Sequence, residues 1–271
     1  VIATAVSCSS ADQPIMERQA RAEAPSVPCH SPYIGGMSIS DPRSFLYQPG
    51  LLDPDGALRV TREALTACDD GELYLQYSAS ESFGFDDGRL KMADYSTASG
   101  FGLRGVSGEM TGFSHANDLS EGAIRRAAET LQLLDPAKGQ AAPPPRKNNR
   151  HLYTDGNPLD LVPFARKVEL CQKIDAAARA RDPRVAQVSV SLAGSWSVIE
   201  IVRADGFVAT DIRPLVRLNV SIVTEENGRR ETGTYGFGGR KLYDDLFDEA
   251  AWNHAIDEAC AAGPAPQRVA T

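Results

Sequence analysis

The feature that most constrains this chain is a series of short turn signals between runs of β-forming residues. The turn-forming pairs are Asp87-Gly88, Ser107-Gly108, Gly194-Ser195, Asp205-Gly206 and Asn227-Gly228. Such pairs between alternating segments are typical of tight hairpin turns. Hairpins join antiparallel neighbours, whereas parallel strands need long, usually helical, crossovers. The chain is therefore predicted to be α+β, with mostly antiparallel sheets and packed helices.

In the first half of the chain, regular periodicity begins with a short helix near Asp55. Residues 72–77 alternate apolar and polar side chains and are predicted to form a strand. Residues 82–92 and 101–114 are each predicted to form a hairpin. Ser120 is a suitable N-cap for the helix that follows, which is expected to end near Asp135-Pro136.

The second half is predicted to add two helices and several strands. The helices are expected over residues 163–181 and 242–259. The predicted strands are 185–192, 196–203, 207–212 and 215–224, and residues 229–235 return from the last turn. The glycine-rich run at 236–240 is interpreted as a loop where the backbone must bend or approach another chain closely.

Composition shifts divide the chain into five predicted segments. Prolines interrupt every candidate element near the N-terminus, and a Pro-rich stretch at 143–145 favours an extended, stiff linker. The predicted segments are a disordered or non-native leader (1–45), a first block (46–134), a linker (135–150), a second block (151–259) and an aberrant or truncated tail (260–271).

Charge and cysteine usage narrow the classes of function. The formal net charge of −8 argues against nucleic-acid binding, which requires a surplus of basic side chains. Five cysteines without a C-x-x-C pair indicate neither a zinc finger nor a disulfide framework, and reduced thiols fit a cytoplasmic protein. No run approaches the roughly 20 apolar residues of a membrane span.

The sequence contains no complete catalytic or metal-binding motif. A zincin needs two histidines one helical turn apart, and no two of the four histidines are that close. His254 and Glu258 share a helix face, but a surface pair is the simpler interpretation. The serine hydrolase motif G-x-S-x-G is absent. Cys171 lies on an apolar helix face, as expected for a small core residue. No catalytic residue and no metal ligand is predicted.

A stretch of mixed charge around Pro214 is the strongest candidate for a binding surface. Asp211, Arg213 and Arg217 interrupt an otherwise apolar strand pair, and charged groups in such a place should be paired. Two interpretations remain open. The charges form a structural ion pair, or they line a groove that holds a peptide's carbonyls or carboxylate.

Three segments resemble the TldD/PmbA family of zinc metallopeptidases, and its TldD-like branch in particular. They are GFGLRGVSGEMTGFS at 100–114, DIRPLVRLNVS at 211–221 and GFGGR at 236–240. The resemblance implies a cytoplasmic protein associated with proteolysis, peptide maturation and gyrase modulation. It also implies a peptide substrate and a PmbA-like partner subunit or a homo-oligomer.

The resemblance further implies how the chemistry is divided along the family protein. The family's zinc site is an H-E-x-x-x-H helix with a further Cys ligand, all in the second half, and no residue here matches it. This chain is therefore expected to contribute to the peptide groove and the subunit contact, without being catalytically complete alone. Arg213, Arg217 and Arg240 are the candidates for lining that groove, with peptide docking expected at a sheet edge. The alternative is a non-catalytic assembly or regulatory module.

Overall fold

The computed structural model describes residues 41–133 and 152–261. The strands are β1 (Asp70–Asp86), β2 (Arg89–Ser107), β3 (Met110–Ala116), β4 (Val185–Arg203), β5 (Val208–Glu226) and β6 (Arg229–Gly239). The helices are α1 (Pro54–Ala64), α2 (Glu121–Ala128), α3 (Pro158–Leu161), α4 (Phe164–Arg181) and α5 (Glu249–Ala261). Short 3-10 helices occupy Pro42–Phe45, Glu129–Leu133 and Tyr243–Leu246. The predicted linker and most of the predicted leader and tail lie outside the described residues.

The six strands form one antiparallel sheet with the order β3-β2-β1-β4-β5-β6. The central contact is β1 with β4, which pair from Glu72 opposite Arg203 to Asp86 opposite Ser189. This contact joins the two sequence blocks, so their strands share a single sheet. The predicted α+β class with antiparallel pairing is confirmed.

The two faces of this sheet differ in character because side chains alternate along each strand. One face, here called the covered face, carries the buried apolar residues that pack against the helices. Its central members are Leu73, Leu75, Phe83, Val190, Leu192, Val198, Leu218 and Val220, each at most 5% exposed. The other face, here called the open face, carries mainly Ser, Ala, Asn and charged side chains in the same strands.

The tight turns predicted at Asp87-Gly88 and Asn227-Gly228 are confirmed. Asp87 and Gly88 between β1 and β2 both have positive φ, as do Asn227 and Gly228 between β5 and β6. A turn with two left-handed central residues matches the twist of the flanking strands, which explains the Asx-Gly pairs. Gly206 and Gly108 also have positive φ at the other predicted turns.

The predicted turn at Gly194-Ser195 is wrong, because both residues lie within the continuous strand β4. Gly194 pairs with Glu81 of β1 on one side and Val216 of β5 on the other. A Cβ at Gly194 would meet the Tyr243 hydroxyl and lie 2.8 Å from Cζ of that ring. The glycine is therefore present for close packing rather than for a turn.

The predicted interruption between strands 207–212 and 215–224 and the predicted glycine-rich loop are also wrong. Pro214 lies inside β5, opposite Trp196 of β4. Strand β6 pairs with β5 only from Val216 onward, so no β6 residue pairs with β5 at Pro214, which has no N–H to donate. Gly236 and Gly238 continue β6 instead of forming a loop.

Regular structure begins earlier than the sequence periodicity indicated. Asp41 caps the 3-10 helix Pro42–Phe45 by accepting a hydrogen bond from the Arg43 N–H. Phe45 stacks on Tyr77 with ring centroids 4.5 Å apart and meets Trp196 edge-on. Because these contacts join residues far apart in the sequence, local periodicity could not predict them.

The helix predictions fare better. Ser120 accepts a hydrogen bond from the Ala123 N–H, which confirms it as the N-cap of α2. Helix α4 matches the prediction to one residue at its start. The predicted closing helix is instead divided into the 3-10 helix Tyr243–Leu246 and α5. None of the helices in the described ranges is long and apolar enough to cross a membrane.

Candidate functional site

The open face contains a shallow trough whose floor is made of small side chains. Cross-strand pairing sets the side chains in rows that run perpendicular to the strands. One row is Asp94, Ser82, Ala193 and Arg217, and the next is Ser96, Ser80, Ser195 and Leu215. Strands β1 and β4 supply the small middle residues of both rows. Larger side chains stand at three of the row ends, namely Asp94 of β2 and Leu215 and Arg217 of β5. A cavity of about 380 Å³ lies over these two rows.

Arg213 and Asp211 lie on the same open face, further along β5. Nε of Arg213 donates a 2.6 Å hydrogen bond to Oδ2 of Asp211, and this contact raises the pKa of Arg213. The hydroxyl of Tyr153 donates to both carboxylate oxygens of Asp211, at 3.0 and 3.2 Å. The guanidinium of Arg240 lies over the Tyr153 ring, 5.2 Å from its centroid. A chain of contacts through Asp211 and Tyr153 thus connects Arg213 with Arg240. The ion pair that was one of the two interpretations of this stretch is present between Arg213 and Asp211.

Arg217 differs from Arg213 because its polar partner is an amide. Nε of Arg217 donates to Oδ1 of Asn219 at 2.8 Å, and Nδ2 of Asn219 donates to Oγ of Ser191 at 3.1 Å. Among the described residues, no carboxylate lies within 4 Å of the exposed guanidinium. Arg217 is therefore an oriented positive charge without an acidic partner in this part of the chain.

The glycines of β6 provide the space in which Arg217 and Asn219 lie. A Cβ on Gly236 would meet Oδ1 of Asn219 and come within 2.9 Å of Nη2 of Arg217. A Cβ on Gly238 would lie 2.7 Å from Cα of Arg217. The sequence suggested a close approach to another chain, whereas the glycine-rich motif permits a close approach to side chains and backbone of the neighbouring strand β5. Nothing in the sequence indicated that β5 would be the strand beside these glycines.

On the covered face, directly beneath the trough, lies a buried charged cluster that the sequence analysis missed. Nζ of Lys167 contacts the carboxylate of Glu81, donates to the Leu159 carbonyl at 3.1 Å and lies 4.6 Å from the Tyr243 ring centroid. Lys167 is 1% exposed and Glu81 is 8% exposed. Burial, followed by the nearby Glu81, raises the pKa of Tyr243. The sequence did contain one indication that Lys167 is buried, because Lys167 lies on the apolar face of α4 together with Cys171 and Ile174.

A second buried carboxylate anchors the N-terminal segment. Glu200 of β4 is 1% exposed and accepts hydrogen bonds from Arg43 Nε at 2.6 Å and from Thr210 Oγ1 at 3.0 Å. The Tyr47 hydroxyl also donates to Glu200. Burial, and then Glu200, raises the pKa of Tyr47. With three donors on one carboxylate, this cluster is suited to holding the segment in place rather than to chemistry.

The described residues do not fit a zinc site. Residues 41–133 and 152–261 contain no group of three or more His, Cys, Asp or Glu side chains placed to hold a metal ion. His254 meets the Tyr235 ring edge-on, with centroids 5.3 Å apart. Burial raises the pKa of the Cys171 thiol to about 12, which disfavours the thiolate that a nucleophile requires.

Two family models match most of the described chain. Residues 71–134 match the model described as PmbA/TldA metallopeptidase domain 1. Residues 157–262 match the model described as PmbA/TldA metallopeptidase central domain. The first match covers β1 through α2, and the second covers α3 through α5.

Curated relatives and a solved structure agree with these matches. A metalloprotease TldD homolog of Buchnera aphidicola is 39% identical over 199 residues, covering 70% of this chain and 41% of the relative. A metalloprotease TldD homolog of Haemophilus influenzae is 39% identical over 184 residues, covering 66% and 38%. The chain thus spans about two fifths of these relatives. The crystal structure of TldE from Thermococcus kodakarensis has a TM-score of 0.61 at 16% identity, over 76% of this chain and 47% of that one, which supports the fold.

Proposed function

Since the chain belongs to the PmbA/TldD metallopeptidase family, we propose that it supplies one wall of the peptide groove of a TldD-like zinc metallopeptidase. The observation that carries this proposal is the trough on the open face. Its shallow floor is made of small side chains, and Leu215 and Arg217 of β5 stand along one side. An extended peptide that lies over a floor of small side chains makes contacts that depend little on its sequence.

The proposal divides binding from chemistry. The described residues hold no cluster that could bind zinc, and we assign no catalytic step to them. Zinc, which would supply an activated water in the complete protein, is proposed to bind residues outside this part of the chain. Stoichiometric zinc in the purified chain, measured by metal analysis, would contradict this division.

The arginines named from the sequence take different places in the proposal. Arg217 borders the trough, whereas Arg213 and Arg240 belong to the cluster around Asp211 and Tyr153. Arg217 lies where β6 pairs with β5, so the docking proposed for it is across the sheet face, whereas Arg213 lies in the part of β5 with which no β6 residue pairs. We expect Arg240→Ala in a complete relative to weaken peptide turnover, and unchanged kinetics would remove Arg240 from the groove.

Filling the trough with a large side chain tests the central proposal. Ser195→Trp places an indole over the floor, whereas Thr232→Trp places the same group on the open face of β6, away from the trough. A fluorescently labelled, end-capped peptide titrated into each variant reports binding by anisotropy. We expect Ser195→Trp to abolish binding and Thr232→Trp to preserve it. Equal binding by both variants would contradict a groove at this place.

A second candidate function is subunit contact, and the outer half of β2 favours it. Within the described residues, β3 pairs with β2 only from Phe101 to Ser107, which leaves residues 89–100 without a strand on that side. Their backbone groups are available for pairing with another chain. The partner proposed is a PmbA-like subunit or a second copy. Size-exclusion chromatography with and without such a subunit tests this, and an unchanged elution volume would count against it.

A further inference from the structure

From the geometry around its guanidinium, we propose that Arg217 is a receptor for a carboxylate of the bound peptide. This inference rests on the proposed groove and deepens it by naming a chemical class of ligand. Peptide main-chain contacts alone would be indifferent to charge, whereas this site would favour a peptide with a carboxylate near β5.

The first support is that the guanidinium is held in place by neutral groups. Asn219 accepts from Nε of Arg217 at 2.8 Å, and Ser191 of β4 in turn accepts from the amide of Asn219 at 3.1 Å. The two terminal nitrogens retain N–H donors, and a planar guanidinium presents such donors in the geometry of a carboxylate. The ordering of the side chain is therefore already accomplished before a ligand arrives.

The second support is the contrast with other arginines on the open face. Arg213 is bound to Asp211 at 2.6 Å, and Arg104 is bound to Glu72 through two hydrogen bonds of 2.6 and 2.7 Å. Their carboxylate partners come from the protein itself. Arg217 has no such partner among the described residues. A ligand carboxylate could therefore accept hydrogen bonds from the Arg217 N–H groups without displacing a carboxylate of the protein.

The third support is access and polarity. Gly236 and Gly238 leave the surface beside the guanidinium bare, because a side chain at either position would collide with β5 groups. Across the trough, in the same row, stands Asp94 of β2. Like charges repel, so an acidic ligand group is directed away from Asp94 and toward Arg217.

Two sources of carboxylate must be distinguished, namely the α-carboxylate of a peptide's C-terminus and an Asp or Glu side chain. Three versions of one short labelled peptide separate them when titrated by fluorescence anisotropy. The first has a free C-terminus, the second is amidated, and the third is amidated with one glutamate. We expect the free or the glutamate peptide to bind about three- to tenfold more tightly than the neutral one, depending on the source.

The variants then connect that preference to Arg217. We expect Arg217→Gln to remove it, so that this variant binds the three peptides equally, and Arg217→Lys to retain part of it. Gly236→Ala, which displaces Asn219 and Arg217, should also reduce it. Arg89→Gln, at the exposed start of β2, is the matched control and should retain the preference.

The outcomes also separate this inference from the groove itself. If the wild-type chain binds all three peptides equally, or if Arg217→Gln retains the preference, the carboxylate receptor is wrong while the groove stands. If the wild-type chain binds none of them, both proposals are wrong. Loss of the preference in Arg89→Gln would show that general surface charge, not Arg217, is responsible.

Discussion

The two faces of the sheet use the same kinds of charged residue in opposite ways. On the covered face, Lys167 with Glu81 and Arg43 with Glu200 form contacts that are wholly or partly buried. On the open face, Arg104 with Glu72 and Arg213 with Asp211 form contacts in which every side chain is at least 24% exposed. Pairing geometry is similar on both faces, but access to water is not.

This difference teaches that burial, rather than pairing, decides what a charged group does for the protein. A buried charge that loses its partner retains the cost of having left water, so its pair is needed for stability. An exposed pair is hydrated in either state and contributes little to stability. The open-face charges are therefore available for binding, and the covered-face charges are not.

The largest expected effect comes from breaking the buried pair on the covered face. Lys167→Ala leaves the Glu81 carboxylate buried without its cation, and we expect the free energy of unfolding to fall by about 3–5 kcal/mol. Urea denaturation measures this loss. The control is Lys173→Ala on the same helix, which removes an exposed pair with Glu169 and should cost less than about 1 kcal/mol. Equal losses would erase the distinction between buried and exposed pairs.

Two arginine–glutamate pairs allow the sharpest comparison of the faces. Glu200→Gln should lower the free energy of unfolding by about 1.5–3 kcal/mol, because Arg43 and Tyr47 lose a charged acceptor. Glu72→Gln, which changes the Arg104 pair on the open face, should cost less than about 1 kcal/mol. Hydrogen exchange should also accelerate in residues 42–47 of Glu200→Gln alone. Protection that persists there would mean that Phe45 packing anchors the segment by itself.

Glycine-to-alanine replacements compare how much room each face of the sheet has for an added methyl group. Gly194→Ala places a methyl group against Tyr243 on the covered face, and we expect a loss of about 1–3 kcal/mol. Gly84→Ala, on the open face of β1, has Cβ of Met92 as its nearest neighbour at 3.5 Å and should be tolerated. Thermal unfolding of both variants measures the difference. A tolerated Gly194→Ala would show that the ring of Tyr243 can move.

Acid stability should respond to a carboxylate near the sheet's end. Hydrogen bonds from Arg184 lower the pKa of Asp182 below its usual 3.8. Because the folded-state pKa is the lower one, this contribution is complete above the unfolded-state pKa and is lost as the pH falls through the depressed pKa. Asp182→Asn should therefore flatten the acid limb of a stability–pH profile below about pH 4. An unchanged acid limb would assign that dependence to other carboxylates.

The smallest expected effect on stability is at the proposed carboxylate receptor. Arg217→Gln should change the free energy of unfolding by less than about 0.5 kcal/mol, because the side chain is exposed and, within residues 41–133 and 152–261, is bonded only to Asn219. Chemical denaturation beside the peptide titration tests both properties. A loss above about 1 kcal/mol would mean that Arg217 supports the fold, and the contrast between the faces would weaken.

Local signals in the sequence predicted local structure well. The Asp87-Gly88 and Asn227-Gly228 turns, the Ser120 cap and helix α4 depend on backbone geometry within a few residues, so the residue types reveal them. Gly194 and Pro214 misled the strand predictions for the same reason. Glycine and proline usually interrupt a strand. Here Gly194 leaves room for the ring of Tyr243, and Pro214 is tolerated because no β6 residue pairs with β5 at that position. Both causes lie far away in the sequence.

The candidate site was predicted in part. The charged stretch around Pro214 indicated Arg213 and Arg217, because charge in an apolar strand is unusual. Which of them is paired depended on side chains that the sequence did not connect, such as Tyr153 with Asp211. Lys167 and Glu81 were missed because charged residues are rarely buried, and only the register of α4 and β1 brings them together.

The sequence by itself determined the hairpin turns, the antiparallel character of the sheet and the family to which the chain belongs. These follow from short-range backbone preferences and from motifs that can be read in order. The tertiary structure decided that both blocks share one sheet, which face of that sheet the described helices leave open, and that Arg217 on this face contacts no acid among the described residues. Those properties depend on contacts between residues far apart in the chain, and strand register alone determines whether a given charge meets the core or the solvent.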